Sequence, residues 1–288
     1  MSSRKSMLLR VTAAVSATLL SATAFAQPFA AGSTQQDFDN PGTNFGTFGS
    51  ATTAGAVTGD AGQLTAKVNN QNGRIGFDQS LSSTNFNLIT GSFDFRADPT
   101  TNNSNQADGF SLLFLNTANH GTSGDFSTTS AAEIGQATGS LGIGFNIHQG
   151  GSDLSNNSIY VNNDQAPASA TQVNAPFDMS TPEFHRALFS VEFLESGDAL
   201  VDLSLIEDIN GTAGAPQVVY NDLLVSGLSP YDFRVGFAGR TGGQNALQQI
   251  DNINIAAVQT PEPGSIAMWS ILGLAGFAGI YWRKRKVK

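Results

Sequence analysis

Leu141-Gly142-Ile143-Gly144-Phe145-Asn146-Ile147-His148 is the stretch on which the fold turns. Large apolar residues fill every second position, and Gly, Gly, Asn and His fill the others, so an extended strand would carry one apolar face and one face of small or polar residues. The same period of two recurs outward in both directions. Phe93 and Phe95 alternate with Asp94 and Arg96, and the pattern returns at Phe189, Val191 and Phe193, at Val201, Leu203 and Leu205, at Phe233, Val235 and Phe237, and at Ile253 and Ile255. Phe110 to Leu115 is apolar on both faces but for Ser111, as expected of a strand covered on both faces. Turn signals divide these runs at Asn72-Gly73, Gly150-Gly151, Ser196 to Asp198, Asn210-Gly211 and Gly242-Gly243. Gln27 to about Asn72, rich in Gly, Thr and Asn with phenylalanines at 38, 45 and 48, reads as short edge strands and loops. No helical pattern of comparable strength interrupts the series, so the expectation is an all-β sandwich or barrel.

The two ends have a different character. Residues 1–26 combine a basic start (Arg4, Lys5, Arg10), an apolar stretch from Val11 to Leu20 and an Ala24-Phe25-Ala26 site, the layout of a secretory signal peptide cleaved before Gln27. Ser265 to Trp282 runs eighteen residues without a charge, between Pro261-Glu262-Pro263 and a basic tail at 283–288. That length suffices for a single transmembrane helix, and the basic tail places its C-terminal end in the cytoplasm. The expected domains are therefore a signal peptide at 1–26, a β-sandwich at 27–259 and a C-terminal segment at 260–288. Between residues 27 and 260, 22 Asp/Glu face 6 Lys/Arg, a net charge of -16 that disfavours nucleic acid as a partner. The 288-residue chain has no cysteine, so no disulfide supports the core after export.

The order of Pro261-Glu262-Pro263, apolar helix and Arg/Lys cluster resembles the PEP-CTERM sorting signal of Gram-negative bacteria. The resemblance implies recognition and removal by an integral-membrane exosortase, anchoring through the C-terminal helix before processing, and delivery to the cell surface or exopolysaccharide matrix. It implies an address and no activity.

The body is similar to the concanavalin A-like (L-type lectin) jelly roll. Ala107-Asp108-Gly109 leading into Phe110 to Leu115, the segment from Leu141 through Asp153 to Asn162, and Phe233 to Gly243 carry the likeness. In sugar-binding members, the Asp of Ala-Asp-Gly accepts hydrogen bonds from sugar hydroxyls and is held, often through a cis peptide, by a nearby divalent cation. The resemblance thus nominates Asp108, Gly109, Asn146, Gly242 and Gly243 for carbohydrate. A carboxylate suits that task because it offers two coplanar acceptors for charge-assisted bonds; an Asp before Gly also caps tight turns.

The metal segment departs from the family pattern, with Gly144 and Ser158 where a carboxylate and an imidazole are expected. A transition metal has little to hold there. Calcium accepts carbonyl, amide and carboxylate oxygens, so Asn146, the His148 carbonyl and Asp153 are its candidate ligands, and one carboxylate predicts weak binding. His120, His148 and His185 carry no catalytic expectation, the first and last falling in loops. Sugar stacking would fall to Tyr160, Tyr220, Tyr231 or exposed phenylalanines, because both tryptophans lie in the tail. A glycoside hydrolase of this fold needs paired carboxylates projecting from one strand, and no such motif occurs. The expectation is a non-enzymatic lectin-like envelope protein, with a non-binding structural component of the matrix as its rival.

Overall fold

The computed structural model describes residues 29–39, 44–55, 59–99, 106–128, 132–148, 157–165 and 169–259. The expected signal peptide, the Gly150-Gly151 turn and the sorting segment lie outside the described residues. Among the described residues no helix is long and apolar enough to cross a membrane.

Two antiparallel sheets stack face to face. One has the order β13 (Gln217–Val225), β12 (Ala199–Ile206), β11 (His185–Phe193), β6 (Leu88–Pro99), β15 (Ala246–Gln259), β4 (Asp60–Thr65) and β3 (Thr52–Gly55), with β1 (Phe29–Gln36) also pairing to β15. The other has the order β10 (Ser169–Asn174), β9 (Ser158–Asn163), β8 (Leu141–Asn146), β7 (Gly109–Asn116), β14 (Phe233–Arg240), β5 (Asn72–Leu81) and β2 (Phe45–Gly49). Every run read as a strand from its alternation is one. The Gln27 to Asn72 region supplies the edge strands β2 and β3, as expected. Asn72-Gly73 is not a hairpin turn: both residues open β5, and Gly73 packs against the Leu64 backbone.

The period of two becomes a core because the inward residues of both sheets are large. Phe93 and Phe95 of β6 meet Phe145 of β8 at ring distances of 5.7 and 5.2 Å, Phe93 meets Phe237 of β14 at 5.1 Å, and Phe110 stacks on Phe145 at 4.8 Å. All five rings are fully buried. Such ring pairs each contribute about 0.5–1.5 kcal/mol beyond the area they bury.

The β7–β8–β14 sheet is covered on its other face too. Residues 117–128 and 132–140, which include a one-turn helix at Thr117–His120, fold back over it, and Leu113, Leu115, Phe126, Ala132, Ala137 and Ala238 form a second, smaller apolar cluster beneath them. This cover explains why Phe110 to Leu115 is apolar on both faces. Arg234 fastens it: fully buried, its guanidinium donates to the carbonyls of His120, Gly121 and Gly124 at 2.9–3.0 Å. Carbonyl dipoles compensate the buried charge, as burial demands.

His185 is not in a loop. It opens β11, only 1% exposed, with Nε2 beside the Thr181 hydroxyl and Nδ1 accepting from the Asp208 amide. Burial pushes the imidazole down to about 4. The unfolded chain therefore takes up this proton first, and the stability that neutral His185 supplies above its unfolded value near 6.5 is lost as pH falls from there towards 4. Chemical denaturation at pH 7 and pH 4.5 should show the wild type losing about 2–3 kcal/mol more than His185→Gln, a figure set by that shift; equal losses would place the titrating group elsewhere.

Candidate functional site

Strand register brings the candidate residues together. β7 pairs with β8 so that Gly109 lies opposite Asn146, and with β14 so that Gly109 also lies opposite Arg240. The three strands end side by side, and the chain just outside each one, at Asp108, Ile147 and Thr241, forms one rim. Asp108 is tied into that rim by its backbone: its amide donates to the Arg240 carbonyl at 3.0 Å, and its carbonyl accepts from Ile147 and His148 at 3.0 and 3.2 Å. The Ala107–Asp108 peptide is cis.

An open cleft of about 580 Å³ lies at this rim, lined by Asn70 to Asn72, Asp108, Glu133, His148 and Arg240 to Gly242. Its outer wall is built by two loops bonded to one another. Thr241 donates its hydroxyl to Val68 O at 2.7 Å and accepts from the Gln71 amide at 2.9 Å, while the Asn70 amide donates to Gly242 O at 3.0 Å. Gly242 sits against the Asp108 carboxylate, where an added Cβ would be 3.2 Å from Oδ1. Gly243 lies one residue beyond the lining, its carbonyl accepting from Asn69 Nδ2 at 2.9 Å.

The floor of the cleft carries an ion-paired triad. Arg240 Nε is 2.7 Å from Asp108 Oδ2, and Arg240 Nη2 donates to Glu133 Oε1 at 2.8 Å. The Nε contact is an ion pair whose angle does not make a hydrogen bond. The two carboxylate side chains are about nine-tenths buried, and the arginine side chain is 41% exposed. Burial chiefly, together with the nearby Asp108 charge, pushes the Glu133 carboxyl up, against the downward pull of its own backbone amide and Arg240. Asp108 Oδ1 has no protein partner among the described residues.

Glu133 reaches this position because the chain at 132–135 lies directly on β8. An added Cβ on Gly144 would collide with the Glu133 carbonyl, and one on Gly142 with the Gly135 carbonyl. Gly109 is also required: its φ of +140 is closed to other residues, and a Cβ would come 2.9 Å from that of Glu133. The Gly-Gly-Asn face of the opening motif is therefore a bed for backbone.

These contacts decide how the metal-segment residues fit. Backbone fills the space a carboxylate at Gly144 would need. Asn146 is buried, and its Oδ1 accepts from the His148 amide at 2.8 Å. Ser158 Oγ accepts from Gln172 at 3.1 Å, and the His148 ring lines the cleft with Nδ1 3.4 Å from Gln106 O. Asp153 lies outside the described residues. Among the described residues no cluster of three or more His, Asp or Glu could hold a metal ion.

The tyrosines expected to stack on sugar are elsewhere. Tyr160 is buried, Tyr220 donates to Ile159 O and Thr171 O, and Tyr231 bridges Phe114 O and the Leu141 amide; among the described residues no Phe, Tyr or Trp lines the cleft. Sequence reasoning also missed Glu133 and Arg240. The signal available was scarcity, since Arg240 is one of six cations in the body and ends a strand of the likeness-bearing motif.

Solved structures of lectins share this fold. Lectin II from Ulex europaeus matches 79% of the chain and 99% of its own length at 13% identity and a TM-score of 0.58. A Bauhinia forficata lectin in complex with GalNAc matches 82% and 100% at 16% and 0.57. The exoplasmic/lumenal domain of VIP36, in a Ca2+/Man-bound form, matches 82% and 94% at 14% and 0.56. The body is thus a concanavalin A-like, L-type-lectin-like β-sandwich. Residues 259–286 match the PEP-CTERM protein-sorting motif, so the chain pairs that sandwich with a C-terminal sorting tail. Comparison with curated proteins returns no match.

Gly144→Ala should destabilise the full-length protein by roughly 1–3 kcal/mol in urea titration, because the backbone it meets cannot yield as a flexible side chain would; an unchanged midpoint would show that 132–135 does not rest on β8.

Proposed function

We propose that this is an exported envelope or matrix protein whose sandwich binds carbohydrate, without catalysis, at the cleft around Asp108. The observation that carries the reading is Asp108 itself, a residue locked by three backbone hydrogen bonds at the mouth of a polar cleft, with one carboxylate oxygen unused among the described residues. Gly242 leaves the space beside that oxygen free of a side chain, Gly109 lets the chain turn into β7 against Glu133, and Asn146 supports the rim through the His148 amide. The lectins of Ulex and Bauhinia share the fold, and solved structures of such neighbours are complexes with galactose, GalNAc and mannose. Export would follow from a signal peptide at 1–26. The tail would anchor the protein through a helix at about 265–282 until an exosortase-type enzyme acts near Pro261-Glu262-Pro263. The second reading, a structural matrix component that binds no sugar, is supported by the polar lining of the cleft, which among the described residues includes no aromatic platform.

Full-length protein should be retained on at least one of immobilised galactose, N-acetylgalactosamine or mannose, and Asp108→Ala should weaken retention at least tenfold, as loss of a charge-assisted bond worth about 1.5–3 kcal/mol requires. Silence on all three would favour the structural reading. Deleting residues 260–288 should abolish surface delivery in fractionated cells; unchanged delivery would overturn the sorting assignment.

A further inference from the structure

Arg240 places a fixed positive charge against Asp108. Its Nε contacts Asp108 Oδ2 and its Nη2 contacts Glu133 Oε1, so one guanidinium balances two carboxylates that are each about nine-tenths buried. Glu133 is in turn delivered by backbone that occupies the side-chain space above Gly144. The amide oxygen of Asn146 is committed to the His148 amide, and the Ser158 hydroxyl to Gln172. Among the described residues the side-chain donors expected at Gly144, Asn146 and Ser158 are displaced or engaged, and a permanent side-chain cation stands beside Asp108.

We infer that the Arg240 guanidinium, braced by Glu133, replaces a divalent cation as the group that positions Asp108, so that ligand binding at this cleft is independent of calcium. This rests on the carbohydrate-binding reading above. The pairing also sets the ligand chemistry. Asp108 Oδ1 and Arg240 Nη1 have no protein partner among the described residues, so the cleft offers an acceptor beside a donor. That arrangement suits a sugar with neighbouring hydroxyls, one donating to the carboxylate and one accepting from the guanidinium. A body charge of -16 favours neutral over acidic sugars. Arginine suits the task because its planar fork serves two carboxylates at once and stays charged at any working pH.

The test uses full-length wild type, Arg240→Ala, Arg240→Lys, Asp108→Asn and the Arg240→Ala/Asp108→Asn double variant. Retention on galactose, N-acetylgalactosamine and mannose resins is measured in EDTA and in excess calcium, with thermal midpoints in both buffers. Wild-type retention should be the same in the two buffers, and Arg240→Ala should lose about tenfold or more in each, because it leaves two buried carboxylates uncompensated. Arg240→Lys, which keeps the charge and loses the fork, should bind more weakly than wild type without rescue by calcium, and it carries the comparison should Arg240→Ala fail to fold. Calcium-dependent wild-type binding, or calcium rescue of either Arg240 variant, would overturn the inference. If no form binds any resin, the carbohydrate reading fails and the midpoints decide the pairing by themselves. A double variant no less stable than Arg240→Ala supports the coupling, whereas additive losses reject it.

Discussion

The cleft depends on one close approach, the backbone of residues 132–135 lying on the glycine face of β8. Gly142 and Gly144 leave the sheet surface bare there, and the carbonyls of Gly135 and Glu133 occupy the space that side chains would take. Three consequences follow. The second apolar cluster closes, because Ala132 and Ala137 reach Leu113 and Ala238. Glu133 is carried to Arg240. The space that a metal-binding carboxylate would need on β8 is filled by main chain. A substitution at Gly144 therefore acts on stability, on the ion-paired triad and on the cleft through the same few atoms.

Cations are scarce in this acidic body, and the structure assigns each one. Lys67 pairs with Asp98, Arg74 with Asp125 and Arg186 with the buried Asp94; Arg96 donates to Gln249; Arg234 binds loop carbonyls. Arg240 alone among them joins two carboxylates at an open cleft. Surface pairs such as Lys67–Asp98 contribute little, about 0–1 kcal/mol. Arg234 and Arg240, like Arg186, differ from such pairs because they touch buried groups, where removing one partner strands the other. One holds down the cover over the sheet, and the other sets the charge at the rim.

Much of the architecture was legible from local pattern. Alternation at Phe93 and Phe95, Leu141 to Ile147, Val201 to Leu205 and Phe233 to Phe237 marked strands because a pleated backbone sends alternate side chains to opposite faces. The run Phe110 to Leu115, apolar but for Ser111, marked the strand covered on both sides. The Asp108-Gly109 pair stood out for its turn chemistry, and Gly242 for its place in the loop facing it. Less legible were Asn72-Gly73, whose turn signal was overridden by pairing of β5 with β14 and β2, and the tyrosines, whose ring faces went to the core while their hydroxyls found backbone partners. Glu133 gave no local signal, sitting in an Ala- and Gly-rich segment whose path is set by what lies beneath it.

By itself, then, the sequence determined which residues face inward, where the strands lie and which tail follows them, because each of these depends on neighbours within a few positions along the chain. Only the tertiary structure decided that Asp108, Glu133 and Arg240 meet, since they are separated by 25 and 107 positions along the chain. Their meeting rests on the register that sets Gly109 opposite both Asn146 and Arg240, and on the fold-back of 132–135 over bare backbone. Register is a property of paired strands and close approach a property of packed surfaces, and neither has a period that can be read from one segment.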